Sequence, residues 1–123
     1  MEGDGIGQKF VLGPEFYEGF RNWPNTLWVY DIPFAMENHT DSVYEGSQAV
    51  SNIGHDYLSG LEIGNEPDLY VSQGTRPAGY GPANYSADWL QYSGFLIEAL
   101  NLPDTALFQV LTLASDAAAS WSA

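Results

Sequence analysis

The sequence predicts an α/β fold in which apolar strands alternate with amphipathic helices, the pattern of a parallel sheet built from βαβ units. Three segments carry the prediction. Residues 26–32 (TLWVYDI), 61–65 and 106–113 (ALFQVLTL) are β-branched, aromatic or continuously apolar, as buried strands are. They start roughly 35 and 45 residues apart, which leaves room for a crossover helix each time.

The elements follow in order. A short apolar stretch at 9–12 stops at Gly13-Pro14, and Pro14 suits the first turn of a helix because its missing N–H would be unpaired there. Phe16, Tyr17 and Phe20 then recur at helical spacing until Asn22-Trp23-Pro24-Asn25 breaks the pattern. The strand at 26–32 is ended by Pro33. Between 43 and 58, Ala49, Val50, Ile53, Tyr57 and Leu58 predict a helix that Gly46 and Gly54 weaken. Ser59-Gly60 closes it before the second strand. After a Gly- and Pro-bearing loop at 67–82, Tyr85, Trp89, Tyr92, Phe95, Leu96, Ala99 and Leu100 mark one face of a helix over 85–100, capped by Asn84 or Ser86. The third strand comes next, and 114–123 reads as a loop entering another helix. Open doubly wound sheets and closed (β/α)₈ barrels both begin this way, and periodicity does not separate them.

Composition excludes several functions. The 123 residues make at most one domain, able to bury about two thirds of its extended surface. Sixteen acidic residues face three basic ones, Lys9, Arg21 and Arg76, for a formal charge of −13. That balance argues against a nucleic-acid backbone and against an anionic membrane surface as partners. No apolar run approaches the ~18–20 residues that span a bilayer. Cysteine is absent, so disulfides, zinc thiolates and a catalytic thiol are excluded. The acidic, glycine-rich start (Met1-Glu2-Gly3-Asp4-Gly5) lacks the features of a secretory signal. Two N-glycosylation sequons occur, Asn38-His39-Thr40 and Asn84-Tyr85-Ser86.

No phosphate-binding glycine loop and no G-x-S-x-G elbow exists in the chain. His39 and His55 have no partner at metal-ligand spacing and read as surface or capping residues. The acids are scattered and read as solvated surface. One segment stands apart, Leu61-Glu62-Ile63-Gly64-Asn65-Glu66-Pro67-Asp68. Apolar residues lead to an Asn-Glu pair at the C-terminal end of a strand, the edge where parallel α/β folds build active sites. A glutamate there can donate a proton if burial raises its pKa, and the amide offers two donors and an acceptor to a substrate hydroxyl. On composition alone, the same residues also read as polar turn chemistry.

GLEIGNEPDLY at 60–70 resembles the fourth-strand signature of the retaining glycoside hydrolases of clan A, which share an Asn-Glu-Pro at a strand end. Gly13-Pro14-Glu15-Phe16-Tyr17, the strand at 26–32, Gly74-Thr75-Arg76-Pro77-Ala78-Gly79-Tyr80, and Tyr85 with Asp88-Trp89 extend the resemblance to glycoside hydrolase family 79, in particular its fungal β-glucuronidase-like members. It runs from about residue 10 to 115. The resemblance implies a (β/α)₈ barrel acting on β-linked glucuronic acid, with Glu66 as acid/base, Asn65 on the sugar's 2-hydroxyl and no cofactor. It also implies a secreted protein whose partner is carbohydrate. The family's nucleophile is a glutamate on the seventh strand.

Such a barrel typically needs about 250 residues and rarely fewer than roughly 200. The expectation is therefore a fragment over residues 1–123, a partial (β/α)₈ TIM barrel holding roughly strands two to five with their helices. It would carry the acid/base and lack the nucleophile. The alternatives are a non-catalytic remnant that at most binds carbohydrate or a partner, and another clan A glycosidase, which would share Glu66 but not the 13–17 and 74–80 segments. Strand alternation places Glu62 on the side of Glu66 and Asn65 on the other, so the strand end must twist or bulge for both to reach one sugar. Glu62 is expected to lack a close cation. Asp31 is a further candidate substrate contact, or a cap of the following turn. Trp28 and Trp89 read as core aromatics, while Trp23, Tyr70 and Tyr80 could stack on sugar. Arg76 is either an attractor of a uronate or a structural clamp.

Overall fold

The computed structural model describes residues 12–103, 108–114 and 121. The elements are α1 (Pro14–Glu18), a 3₁₀ turn (Gly19–Asn22), β1 (Trp28–Ile32), α2 (His39–Gln48) prolonged by a π-helical turn (Ala49–Ile53), β2 (Leu58–Ile63), a 3₁₀ turn (Pro67–Leu69), α3 (Pro82–Ala99) and β3 (Phe108–Gln109). The strands form one parallel sheet in the order β1-β2-β3. The predicted βαβ alternation is present as a mixed α/β fold with a small three-stranded sheet.

Boundaries differ from the sequence expectation for local reasons. α2 starts four residues before Val43 because Asn38 caps it, its side chain accepting from the Asp41 N–H at 3.3 Å. The helix does not reach Leu58. It ends at Gly54, whose φ of 81° is a left-handed exit that glycine tolerates. Tyr57 and Leu58 are apolar for another reason, since Tyr57 O accepts from Trp28 N at 2.7 Å and Leu58 opens β2 opposite Trp28. α3 begins at Pro82 behind Gly81, and Asn84 is no cap but an N3 residue whose Oδ1 accepts from Gly81 N at 3.2 Å. The third strand shrinks to Phe108–Gln109 among the described residues, because the backbone from Leu111 (φ 62°) turns away from the ladder. Residues 104–107, which include the first two of that expected strand, and 115–120 with 122–123, most of the expected loop and last helix, lie outside the described residues.

The sheet has two unlike faces. Tyr30, Ile32, Leu61 and Ile63 are buried beneath the helices with Phe34, Tyr85, Tyr92 and Leu96, and half-buried Phe108 packs against this core. On the other face Asp31, Glu62 and Gln109 stand side by side in register, exposed or half-exposed, with Val29 exposed below Asp31.

The core is rich in tyrosine, so its polar tips need partners. Glu45 on α2 supplies one: fully buried, it accepts the phenolic protons of Tyr17 (3.1 Å) and Tyr30. Burial first, then this carboxylate, pushes the Tyr17 hydroxyl up to about 12 and that of Tyr30 further up. Ser42 bonds Tyr92 Oη at 2.6 Å and donates to Pro33 O at 2.5 Å. Trp28 and Trp89 pack as expected, edge-on to Phe20 and Phe108.

Arg76 is a clamp between loops. Its guanidinium donates to Ala35 O (2.5 Å) and Phe34 O (3.3 Å), pairs with Glu37 at 3.2 Å, and lies over the rings of Phe34, Tyr70 and Tyr80. The loop after β1 is thereby fastened to the loop after β2. With its fork committed to two carbonyls, Arg76 is not presented to a uronate.

Candidate functional site

The loops after β1 and β2 meet at the C-terminal edge of the sheet, where the sequence places its Asn-Glu pair. β2 ends at Ile63, and Gly64 N still donates to Ile32 O at 3.1 Å. The backbone then leaves the strand. Gly64 has φ 74°, and a Cβ there would lie 2.5 Å from Tyr70 Oη and 2.8 Å from Phe34 Cβ, so both conformation and space demand glycine. Glu66 adopts the left-handed conformation too, at φ 51° and ψ 52°. Two such residues flanking Asn65 break the two-residue alternation, as the sequence argument required. Asn65 is exposed and Glu66 half-exposed, so both side chains reach the surface at this edge.

The backbone of Glu66 is pinned by two hydrogen bonds. Its N–H donates to Thr112 O at 2.8 Å, and its C=O accepts from Leu69 N at 2.9 Å as the Pro67–Leu69 turn begins. Asp68 secures the same junction by accepting from Ala114 N at 3.0 Å. Neither Asn65 nor the Glu66 carboxylate bonds to another side chain among the described residues. Left-handed glutamate costs about 1–2 kcal/mol, and such strain concentrates where a fold must aim a side chain.

The acids of the open sheet face lie lower. Asp31 is in register with Glu62 inside the sheet, whereas Glu66 lies three residues beyond the end of β2. The strands thus bring Asp31 beside Glu62 and do not bring it level with Glu66. Glu62 has no ion pair among the described residues, and it accepts instead from Thr112 Oγ1, which in turn takes a bond from Gln109 Nε2 at 3.3 Å. Behind them Tyr85 Oη accepts from Leu111 N at 3.2 Å and lies 3.5 Å from Ile63 O. Burial raises its hydroxyl's pKa, and the charges of Glu62 and Asp31 add to the rise.

Of the aromatic residues considered for sugar stacking, Tyr70 is excluded, being 2% exposed beneath Gly64 and Arg76. Tyr80 is half-buried against the Arg76 guanidinium, and Trp23 is open to solvent on the α1 side. His39 is the first residue of α2 and packs on Tyr92 and Phe95, while His55 is exposed. No three metal-ligating side chains cluster, and no helix is long and apolar enough to cross a membrane, among the described residues.

Two contributors escaped the sequence reading. Thr112 holds both Glu66 and Glu62, and its only signal was a polar residue near the end of an apolar run. Glu45 reads as a solvated helix residue, although Tyr17 and Tyr30 surround it.

No family model matches the chain. A stretch of 85 residues is 31% identical to a Beta-glucuronidase of Aspergillus niger, covering 64% of this chain and 16% of that protein. The chain thus spans under a fifth of the relative's length, and the similarity indicates a glycoside hydrolase relationship.

Proposed function

We propose that this chain is the acid/base-bearing part of a secreted, retaining β-glucuronidase-like glycoside hydrolase of family 79, corresponding to strands two to five of a (β/α)₈ barrel. The observation that carries the reading is the Asn65-Glu66 pair, displayed by two left-handed residues at the C-terminal edge of a parallel sheet, in a chain similar to a β-glucuronidase. Glu66 protonates the departing glycosidic oxygen and later takes a proton from water. Asn65 bonds the 2-hydroxyl of the sugar, a contact that strengthens as the anomeric carbon gains positive charge. Asp31 and Glu62 line the wall below.

The second carboxylate must stand about 5–5.5 Å from the first to attack the anomeric carbon. In the family that the chain resembles the nucleophile is a glutamate on the seventh strand, so on this reading it comes from the remainder of the barrel. The isolated 123-residue chain is therefore expected to leave a chromogenic β-glucuronide intact. Transplanted in place of the matching 85 residues of the Aspergillus niger relative, the segment is expected to support turnover. In that chimaera Glu66→Gln should reduce kcat/KM about 10²–10⁴-fold, the usual worth of a positioned general acid. A chimaera indifferent to Glu66→Gln overturns the assignment. Turnover by the isolated chain would show that a nucleophile lies within these residues and overturn the half-barrel reading.

The exposed face of the sheet, with Val29, Asp31 and Gln109 uncovered, favours one second reading, a non-catalytic remnant that binds carbohydrate or a partner. That remnant would retain sugar on an affinity column while its chimaera stayed inactive.

A further inference from the structure

The two sequons differ sharply in what their asparagines do. Asn38 is half-buried and engaged at both ends of its amide. Its Nδ2 donates to Asp41 Oδ2 at 2.7 Å and its Oδ1 caps α2 through the Asp41 N–H. Its carbonyl also accepts from the backbone N–H and the hydroxyl of Ser42, both at 3.0 Å, and the adjoining His39 ring is packed on Tyr92 and Phe95. A sugar on this nitrogen would have to fit into a closed helix start.

Asn84 is exposed on the first turn of α3. Only its Oδ1 is used, by Gly81 N, and Nδ2 has no bond within the described residues. Tyr85, the middle residue of the sequon, is buried at 3% and anchors the turn, while Ser86 is exposed beside it. Its neighbours one turn along the helix surface are Ala87, small and exposed, and Asp88, half-exposed, so the Ala87 side leaves room for a bulky group. An N-linked sugar here displaces no contact among the described residues, because the substituted amide keeps its oxygen for Gly81.

We propose that Asn84 is an N-glycosylation site of this protein and that Asn38 stays unmodified in the folded chain. The step joins Asn84 Nδ2 to C1 of an oligosaccharide carried on a lipid pyrophosphate. The C1–O bond breaks, the lipid pyrophosphate leaves with the electron pair, and the amide loses one proton to solvent. The proposal rests on the secreted origin given above and adds to it the residue that is modified.

The test produces the full 123-residue chain in yeast behind a cleavable secretion leader, which forces passage through the glycosylating compartment whatever the natural route. An unmodified product therefore rejects the site without touching the secreted reading, which is checked separately by locating the native protein. Soluble secreted chain is expected to run one glycan heavier than after treatment with a glycan-removing amidase. Ser86→Ala should abolish that shift, and Thr40→Ala should leave it whole. These variants delete each sequon while keeping both asparagines, so the Asn38 cap and the Asn84 bond to Gly81 survive in both. Peptide mass mapping then places the sugar. Secreted chain without a glycan, a shift lost in Thr40→Ala and kept in Ser86→Ala, or two glycans per chain would each overturn the proposal.

Discussion

At Glu66 the backbone takes a conformation that glutamate resists, and at Gly64 one that only glycine can fill (φ 51° and 74°). The two positions therefore respond oppositely to exchange. Glu66→Gly relieves the left-handed strain and should raise unfolding free energy by about 0.5–1 kcal/mol, less than the full strain because glycine also gains freedom in the unfolded chain. The same change removes the proposed proton donor, so the urea midpoint should rise while a chimaera carrying it loses activity. Gly64→Ala incurs the left-handed cost and drives a methyl into Tyr70 Oη and Phe34 Cβ, at 2.5 and 2.8 Å. It should lower stability by about 2–4 kcal/mol, read from the same urea titration. A neutral Gly64→Ala would mean that the turn is not built as described.

The pattern of strands and helices could be read directly, because buried strands and one-sided helices announce themselves by spacing. Their ends could not. The α2 boundary depends on the Asn38 cap and on Gly54, and the apolar Tyr57 and Leu58 continued a helical rhythm that belongs to the next strand. The Asn65-Glu66 pair was visible as a polar break after an apolar run. Thr112 was not, since its role depends on a backbone turn after β3 that no local pattern encodes. Glu45 was hidden for a similar reason, as its burial is decided by Tyr17 and Tyr30 arriving from two other elements. This junction of α1, β1 and α2 makes a testable unit. Glu45→Ala strands two buried phenols and opens a cavity, and should cost about 2–4 kcal/mol in chemical denaturation. The pH dependence follows from the tyrosines, whose folded pKa values lie above the unfolded value of 10. The folded state holds their protons more tightly, so this contribution to stability is complete below pH 10 and is lost as pH rises through the folded values. By pH 12 the loss for Tyr17 alone is on the order of 2–3 kcal/mol. Denaturant midpoints should therefore be insensitive to these groups up to pH 10 and fall steeply from 10 to 12, and Tyr17→Phe should reduce the steepness.

Over the whole molecule, sixteen acids repel one another against three cations, and one of those cations is withdrawn into the clamp at Arg76. Two electrostatic effects then act on different length scales. The net charge of −13 opposes compaction through fields that reach about 30 Å at 0.01 M salt and about 8 Å at 0.15 M. Raising salt over that range should raise Tm. The clamp works through contacts at 2.5 and 3.3 Å to carbonyls and 3.2 Å to Glu37, with 6% of the Arg76 side chain exposed against 53% of Glu37, so salt screens the Glu37 contact and leaves the carbonyl contacts largely untouched. Arg76→Lys separates the two, because it preserves net charge while replacing a planar fork by a point charge that cannot serve Ala35, Phe34 and three aromatic rings together. It should lower unfolding free energy by about 2–3 kcal/mol at both salt concentrations, leaving the rise of Tm with salt parallel to that of the parent. If the deficit vanished at 0.15 M, Arg76 would be acting through long-range charge, and the fastening of the two loops beneath Asn65 and Glu66 would have to be sought elsewhere.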